Sequence, residues 1–270
     1  MFHSWFAEKL AGSTEYGCHP EVAEALRKYL NQETTAKEAA RAIARPVENA
    51  DNLLEELRRL WKFLFDAMFG LPPSTTDTLV ELLQAIDDLP EPDMTGIAEE
   101  NRPVEKVWCG IPGFVRHYED ALDWDETRHE ATTTGVSPAR GAFCARMAGI
   151  AARLANAGVG SWMDYGYETV ADALERSDAV FGFEIPLVVE WFKFARPQFE
   201  AGALMGEESD ALAKPRDLWR GGDAMSLGRL SFWRKRLDEI RMQSQGTMQA
   251  AEAALAELIS VPTPTPYQGW

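Results

Sequence analysis

Three acidic side chains lie within five residues in the segment Asp87-Asp88-Leu89-Pro90-Glu91. Helical spacing would place Glu91 on the same face as Asp87 and Asp88. Carboxylates held this close can grip a guanidinium or an amine, divide acid and base roles between them, or coordinate Mg²⁺. A solvated helix end in a protein that is acidic throughout explains the same residues, so the pattern leaves both interpretations open.

A second candidate is the basic segment from Lys214 to Arg241. It holds eight Lys and Arg residues against four Asp and Glu residues, in a chain whose formal net charge is −16. Trp219, Phe232 and Trp233 lie among these cations, a mixture suited to phosphate contacts and base stacking. The alternative is an amphipathic helix whose arginines pair with acids of neighbouring helices.

The acidic cluster must be positioned by the apolar helical segment that precedes it, Asp77 to Asp88. Pro90 and Pro92 are predicted to end this helix among the acids, since proline cannot continue a helix. A helix C-terminus disfavours negative charge, because its unpaired carbonyls already carry partial negative charge. Such local violations are expected at functional or strained sites.

The fold class follows from periodicity along the 270 residues. Apolar residues recur at helical spacing in four segments of the first ninety residues, joined by short connections, which is typical of an antiparallel bundle. Alternation of the β type is almost absent. We predict an all-α protein, a single-domain irregular helical bundle over residues 1–260, with residues 261–270 as an extended or disordered tail.

Composition narrows the functional classes. A charge of −16 argues against non-specific adhesion to nucleic acid or anionic membranes. The three cysteines are scattered, with neither a disulfide framework nor metal-ligand spacing, and no phosphate-binding glycine loop or nucleophile motif occurs. The chain lacks a signal-peptide pattern, and its longest apolar run is too short and charged to span a bilayer. We predict a soluble cytoplasmic protein with no metal, no cofactor, no membrane partner and no obligate protein partner.

Three segments together resemble a fungal family of all-helical proteins. They are LRRLWKFLFDAMFGLPPSTTDTLVELLQAIDDLPEPD, FWRKRLDEI and HPEVAEALRKYLNQETTAKEAARAI. Within that group, Asp87, Asp88 and Glu91 resemble the D-D-x-x-E motif of the fungal arginine-containing cyclodipeptide synthases. Those enzymes condense an arginyl group and a second aminoacyl group, both taken from charged tRNAs, into a cyclo-Arg-Xaa diketopiperazine of secondary metabolism.

The resemblance implies catalytic roles for Asp87, Asp88 and Glu91, as partners of the substrate guanidinium or as a base for the attacking amine, without dividing these roles. It implies arginyl-tRNA and a second aminoacyl-tRNA as partners, and it requires no ATP site because the esters are already activated. A basic surface must then receive the acceptor ends of the tRNAs. The candidates are Arg229, Arg234, Lys235 and Arg236.

Two other functions remain open. A Mg²⁺-dependent terpene cyclase would share the all-α architecture and the aspartate-rich motif, but the chain lacks a second metal motif and Pro90 interrupts the first. A non-enzymatic helical protein that binds a ligand or a partner would carry the acids on its surface.

Overall fold

The computed structural model describes residues 3–11, 18–243, 252–254 and 256. These residues form α-helices, short 3₁₀ turns and loops, with no strand among them, which confirms the predicted all-α class. The described residues divide into two compact helical units, one within residues 1–124 and 157–161 and the other within residues 125–156 and 162–270. One domain over residues 1–260 stays a prediction, and the predicted tail lies outside the described residues.

The first unit is built on apolar stripes that helical periodicity places on one face of each helix. Its helices are α1 (His3–Ala11), α2 (Pro20–Leu30), α3 (Ala36–Glu48), α4 (Leu53–Gly70), α5 (Thr76–Asp87) and α6 (Pro112–Leu122). Helix α3 packs against α2, α4 and α5, and α4 also packs against α6. Leu26, Ile43, Leu53, Leu82 and Ile86 are fully buried in this core. The packing fixes the C-terminal end of α5, where the acidic cluster lies.

The N-terminus of α3 is closed by reciprocal hydrogen bonds between Thr35 and Glu38. Thr35 Oγ1 accepts the Glu38 N–H at 3.3 Å, and Glu38 Oε2 accepts the Thr35 N–H at 2.9 Å. We expect Thr35→Ala to lower the free energy of unfolding by about 1 kcal/mol, because the Glu38 N–H at the helix end loses its side-chain acceptor. Urea unfolding measures this, with Thr35→Ser as the matched control. Equal stability of the Ala and Ser variants would contradict the role of this cap.

Two details of the first unit depart from simple sequence rules. Helix α3 continues through Pro46 to Glu48, although proline is expected to end it. Pro46 lies in the last turn, where one backbone hydrogen bond is lost while the buried Val47 still packs in the core. Gly70, a residue type that often follows a helix end, is instead the last residue of α4, where a Cβ atom would come within 2.3 Å of the Trp5 indole. Its role is therefore close packing.

The second unit contains the remaining helices, with only the first residue of α7 and the last of α8 assigned to the first unit. They are α7 (Trp124–Thr133), α8 (Pro138–Ala157), α9 (Met163–Glu175), α10 (Phe181–Met205), α11 (Asp210–Ala213) and α12 (Leu227–Gln243). Phe199 lies at the centre of the core, with edge-to-face contacts to Tyr167, Trp191, Phe192 and Trp233. Among the described helices, none combines the length and apolarity needed to cross a membrane.

Candidate functional site

The acidic cluster begins where α5 ends. Asp87 is the last helical residue, and the Asp88 backbone N–H closes the helix by donating to the Gln84 carbonyl at 3.0 Å. Pro90 and Glu91 then follow outside the helix, as the position of the prolines predicts. Asp87 is half-buried, whereas Asp88 and Glu91 are exposed.

Glu91 binds the backbone of a loop formed by residues 107–110. Its Oε2 accepts the Val107 N–H at 2.8 Å, and its Oε1 accepts the N–H groups of Trp108 at 3.1 Å and Cys109 at 2.9 Å. Burial alone would raise the pKa of Glu91, but the three backbone donors outweigh it and hold the pKa below its ordinary value. Glu91 is therefore an ionised anchor for this loop.

Asp87 binds the same loop one residue further along. Its Oδ1 accepts the Gly110 N–H at 2.5 Å. The pKa of Asp87 is raised, first by burial and further by the neighbouring charge of Asp88, with the Gly110 N–H opposing the shift. Among the described residues, none forms a hydrogen bond with the Asp88 carboxylate. The motif thus contains two loop anchors with opposite pKa shifts and one carboxylate available to a ligand.

The 107–110 loop is also fixed on its other side. Trp108 is fully buried, packs edge-to-face on Trp61 with ring centroids 6.1 Å apart, and donates its indole N–H to Glu48 Oε1 at 3.1 Å. The next turn passes through left-handed backbone at Gly110 (φ +83°) and at the fully buried Ile111 (φ +43°). A β-branched residue at positive φ costs on the order of 1–3 kcal/mol, and such strain concentrates at functional sites.

We expect acid to release this loop, because the folded-state pKa of Glu91 lies below its unfolded value. The anchoring contributes stability above the unfolded pKa of about 4.3 and is lost as the pH falls through the folded pKa. Asp87 has a raised folded pKa and acts in the opposite direction. Hydrogen-exchange protection factors of Val107, Trp108 and Cys109 measure the release between about pH 6 and about pH 3. Glu91→Gln should remove most of the pH dependence, and an unchanged profile in that variant would contradict the assignment.

Arg229, predicted to contact tRNA, is buried with Glu175 in the second unit. Its side chain is 1% exposed and that of Glu175 is 0% exposed. Nε donates to Glu175 Oε1 at 2.6 Å, and Nη2 donates to Oε2 at 2.7 Å and to the Leu212 carbonyl at 3.1 Å. Arg229 therefore has no access to a phosphate in this structure. We correct its assignment to a structural role.

Other cations of the basic segment are bound by acids at helical spacing on α9. Lys214 binds Glu168, and Arg216 Nε donates to Asp172 Oδ1 at 2.7 Å. Together with the Arg229–Glu175 pair, these contacts hold residues 214–229 along α9. The local excess of positive charge in the sequence is thus compensated by carboxylates about fifty residues upstream.

The remaining three predicted tRNA contacts lie on α12. The Lys235 side chain is 77% exposed, with Nζ 3.8 Å from Glu239 Oε1. Arg236 is mostly buried, and its Nη1 donates to Glu239 Oε2 at 2.7 Å. Arg234 is half-buried and also has a partner. The three acids of the motif belong to the first unit and these basic residues to the second.

Sequence reasoning missed the 107–110 loop as the partner of the acids. The segment WCGIPG predicts a turn through its glycines and proline. Its binding groups, however, are backbone N–H donors, which every non-proline residue carries. Within the part of the chain that the structure describes, no group of three or more His, Cys, Asp or Glu side chains is arranged to hold a metal ion.

The fold and these contacts define an all-α protein whose acidic motif is built around an anchored, strained loop. A family model matches residues 61–237, more than half of the chain, and the protein belongs to that family, described as "Protein of unknown function (DUF3632)". The matched range includes the acidic motif, the 107–110 loop and the Glu175–Arg229 pair. No curated protein and no solved structure matches the chain.

Proposed function

We propose that this protein is an aminoacyl-tRNA-dependent cyclodipeptide synthase that makes a cyclo-Arg-Xaa diketopiperazine. Its main support is the D-D-x-x-E motif at the end of α5, where Asp87 and Glu91 hold one strained loop and Asp88 remains available. Carboxylates whose environments push their pKa values apart are typical of acid–base sites.

The reaction joins two aminoacyl esters and releases two tRNAs. The α-amine of one aminoacyl group attacks the ester carbonyl carbon of the other, so that a C–N bond forms and the C–O bond to the ribose breaks. The proton lost by the amine passes through a base to the departing ribose oxygen. The second α-amine then attacks the remaining ester in the same way, which closes the six-membered ring. No oxidant, reductant or ATP is needed.

We assign a separate role to each carboxylate of the motif as part of this proposal. Asp88 pairs with the substrate guanidinium, because its carboxylate is exposed and arginine favours bidentate carboxylate partners. Asp87 accepts the amine proton, since only its Oδ1 is used by the loop and its half-buried position favours the protonated form. Glu91 is a positioning residue that holds the loop beside the other two acids.

Expression of the protein in a bacterial host, followed by mass spectrometry of the medium, tests this function. We expect an arginine-containing diketopiperazine that is absent from cells carrying the empty vector. In a purified reaction, the product should require arginyl-tRNA and disappear when that tRNA is replaced by its deacylated form. Folded protein that yields no such product in either assay would overturn the proposal.

A non-enzymatic ligand-binding role is the second candidate, and one observation favours it. The Glu91 carboxylate is already occupied by three backbone donors, which is enough to explain its presence structurally. In that case the wild-type protein makes no diketopiperazine, and Glu91→Gln alters only the stability of the 107–110 loop. A Mg²⁺-dependent terpene cyclase has less support, because Asp87 and Glu91 direct oxygens at N–H groups that a metal ion would have to replace.

A further inference from the structure

A groove of about 240 Å³ opens in the first unit between α4, the segment of residues 102–107 and the start of α6. Its apolar lining includes Leu54, Leu57 and Trp61 of α4, together with Val107. Charged side chains also line it, four of them positive and one negative. They are Arg58, Arg102, Lys106, Arg116 and Glu105.

The positive charge at this groove is only weakly compensated. Glu105 lies 3.4 Å from Arg116, and both side chains are more than half exposed, so water screens their attraction. Arg58 and Lys106 are exposed and have no ion pair with any described residue. Arg102 donates its Nε to the backbone carbonyl of Ile97 at 2.7 Å. Because the protein as a whole carries −16, this concentration of cations indicates a site for an anionic ligand.

The groove and the acidic motif share a chain segment, because residues that line the groove also interact with Glu91. Val107 lines the groove and also donates its N–H to Glu91. Lys106 lines the groove, and its positive charge helps to lower the pKa of Glu91. A ligand in the groove would therefore contact the segment that the motif holds in place.

We infer that this groove binds the phosphodiester backbone at the acceptor end of the substrate tRNA. The inference rests on the proposed function, which requires an RNA next to the acids. Three of the four cations are arginines, whose planar guanidinium groups match phosphate oxygens in bidentate geometry. In this inference the groove cations, and not the buried Arg229, contact the RNA. An acidic peptide would satisfy the same charges and is an outcome of the test below.

Fluorescence anisotropy with a deacylated arginine tRNA transcript, repeated at several salt concentrations, measures the binding. We expect the triple variant Arg58→Gln, Lys106→Gln, Arg116→Gln to bind on the order of tenfold more weakly. The slope of log affinity against log salt concentration should become less negative by roughly one for each lost phosphate contact. Lys37→Gln, an exposed cation of α3 that does not line the groove, is the matched control and should leave both quantities unchanged. Circular dichroism and thermal unfolding check that the variants fold.

The outcomes separate this inference from the proposed function. Unchanged affinity and salt slope in the triple variant would overturn the groove as the RNA site, even if the wild type makes the diketopiperazine. Weakened RNA binding in the triple variant, with no product from the wild type, would support the groove and overturn the synthase. Binding of a glutamate-rich peptide without binding of the tRNA would assign the groove to acidic peptides and overturn the RNA inference.

Discussion

Asp88→Asn is expected to reduce diketopiperazine formation by on the order of 100-fold or more while leaving the fold intact. The substitution keeps the shape of the side chain but removes the charge that pairs with the substrate guanidinium. The Asp88 carboxylate forms no hydrogen bond with a described residue and lies at a helix C-terminus, where negative charge is unfavourable. The melting temperature should therefore stay the same or rise slightly. Product yield from purified protein, together with thermal unfolding, measures both effects.

Glu91→Gln is compared with Asp88→Asn to distinguish a residue that positions the loop from one that contacts the substrate. It should also lower product formation, but through the loop, because one of the two carboxylate oxygens that accept backbone N–H groups is replaced by a donor. Hydrogen exchange at Val107, Trp108 and Cys109 should accelerate in this variant and stay unchanged in Asp88→Asn. Full product formation by Asp88→Asn would contradict the assigned role of Asp88.

Local patterns were enough to predict the helices that carry the site. The apolar spacing in α4 and α5 predicts both helices, and the prolines at 90 and 92 predict that the acids leave the helix axis. Residues Phe114 to Glu130 look like one helix, but the structure has two, because Asp123 adopts a left-handed conformation (φ +36°) between α6 and α7. No proline or glycine marks that break in the sequence.

Local sequence patterns did not predict which charged residues pair or cluster, because these contacts join residues that are distant in sequence. The basic segment gives a local excess of four positive charges, which suggested an RNA surface. Glu168, Asp172 and Glu175 pair with it only because α9 and residues 214–229 meet in the folded chain. The groove cations were missed for the complementary reason. Arg58 and Arg116 lie on different helices and join Lys106 only in three dimensions.

Glu175→Leu is expected to lower the free energy of unfolding by about 3–5 kcal/mol, since it leaves the Arg229 guanidinium buried without a counter-charge. The change also removes the acceptor of the Trp233 indole N–H, which lies 2.7 Å from Glu175 Oε1. Desolvated donors without acceptors cost free energy that the packing of a leucine side chain does not recover. Urea unfolding followed by circular dichroism measures the loss.

The double variant Glu175→Leu, Arg229→Met shows how much of that loss comes from the unpaired charge. Removing both ions replaces a buried pair by apolar contacts, an exchange that is often neutral or stabilising, so the double variant should recover most of the lost stability. Lys235→Gln breaks an exposed pair with Glu239 and should change stability by less than about 1 kcal/mol. A double variant as unstable as Glu175→Leu would show that shape and the Trp233 hydrogen bond, rather than charge compensation, hold α12 against α9. Recovery would instead show that apolar contacts can replace the ion pair without loss of stability. In either case, the burial of Arg229 is what excludes it as a tRNA contact.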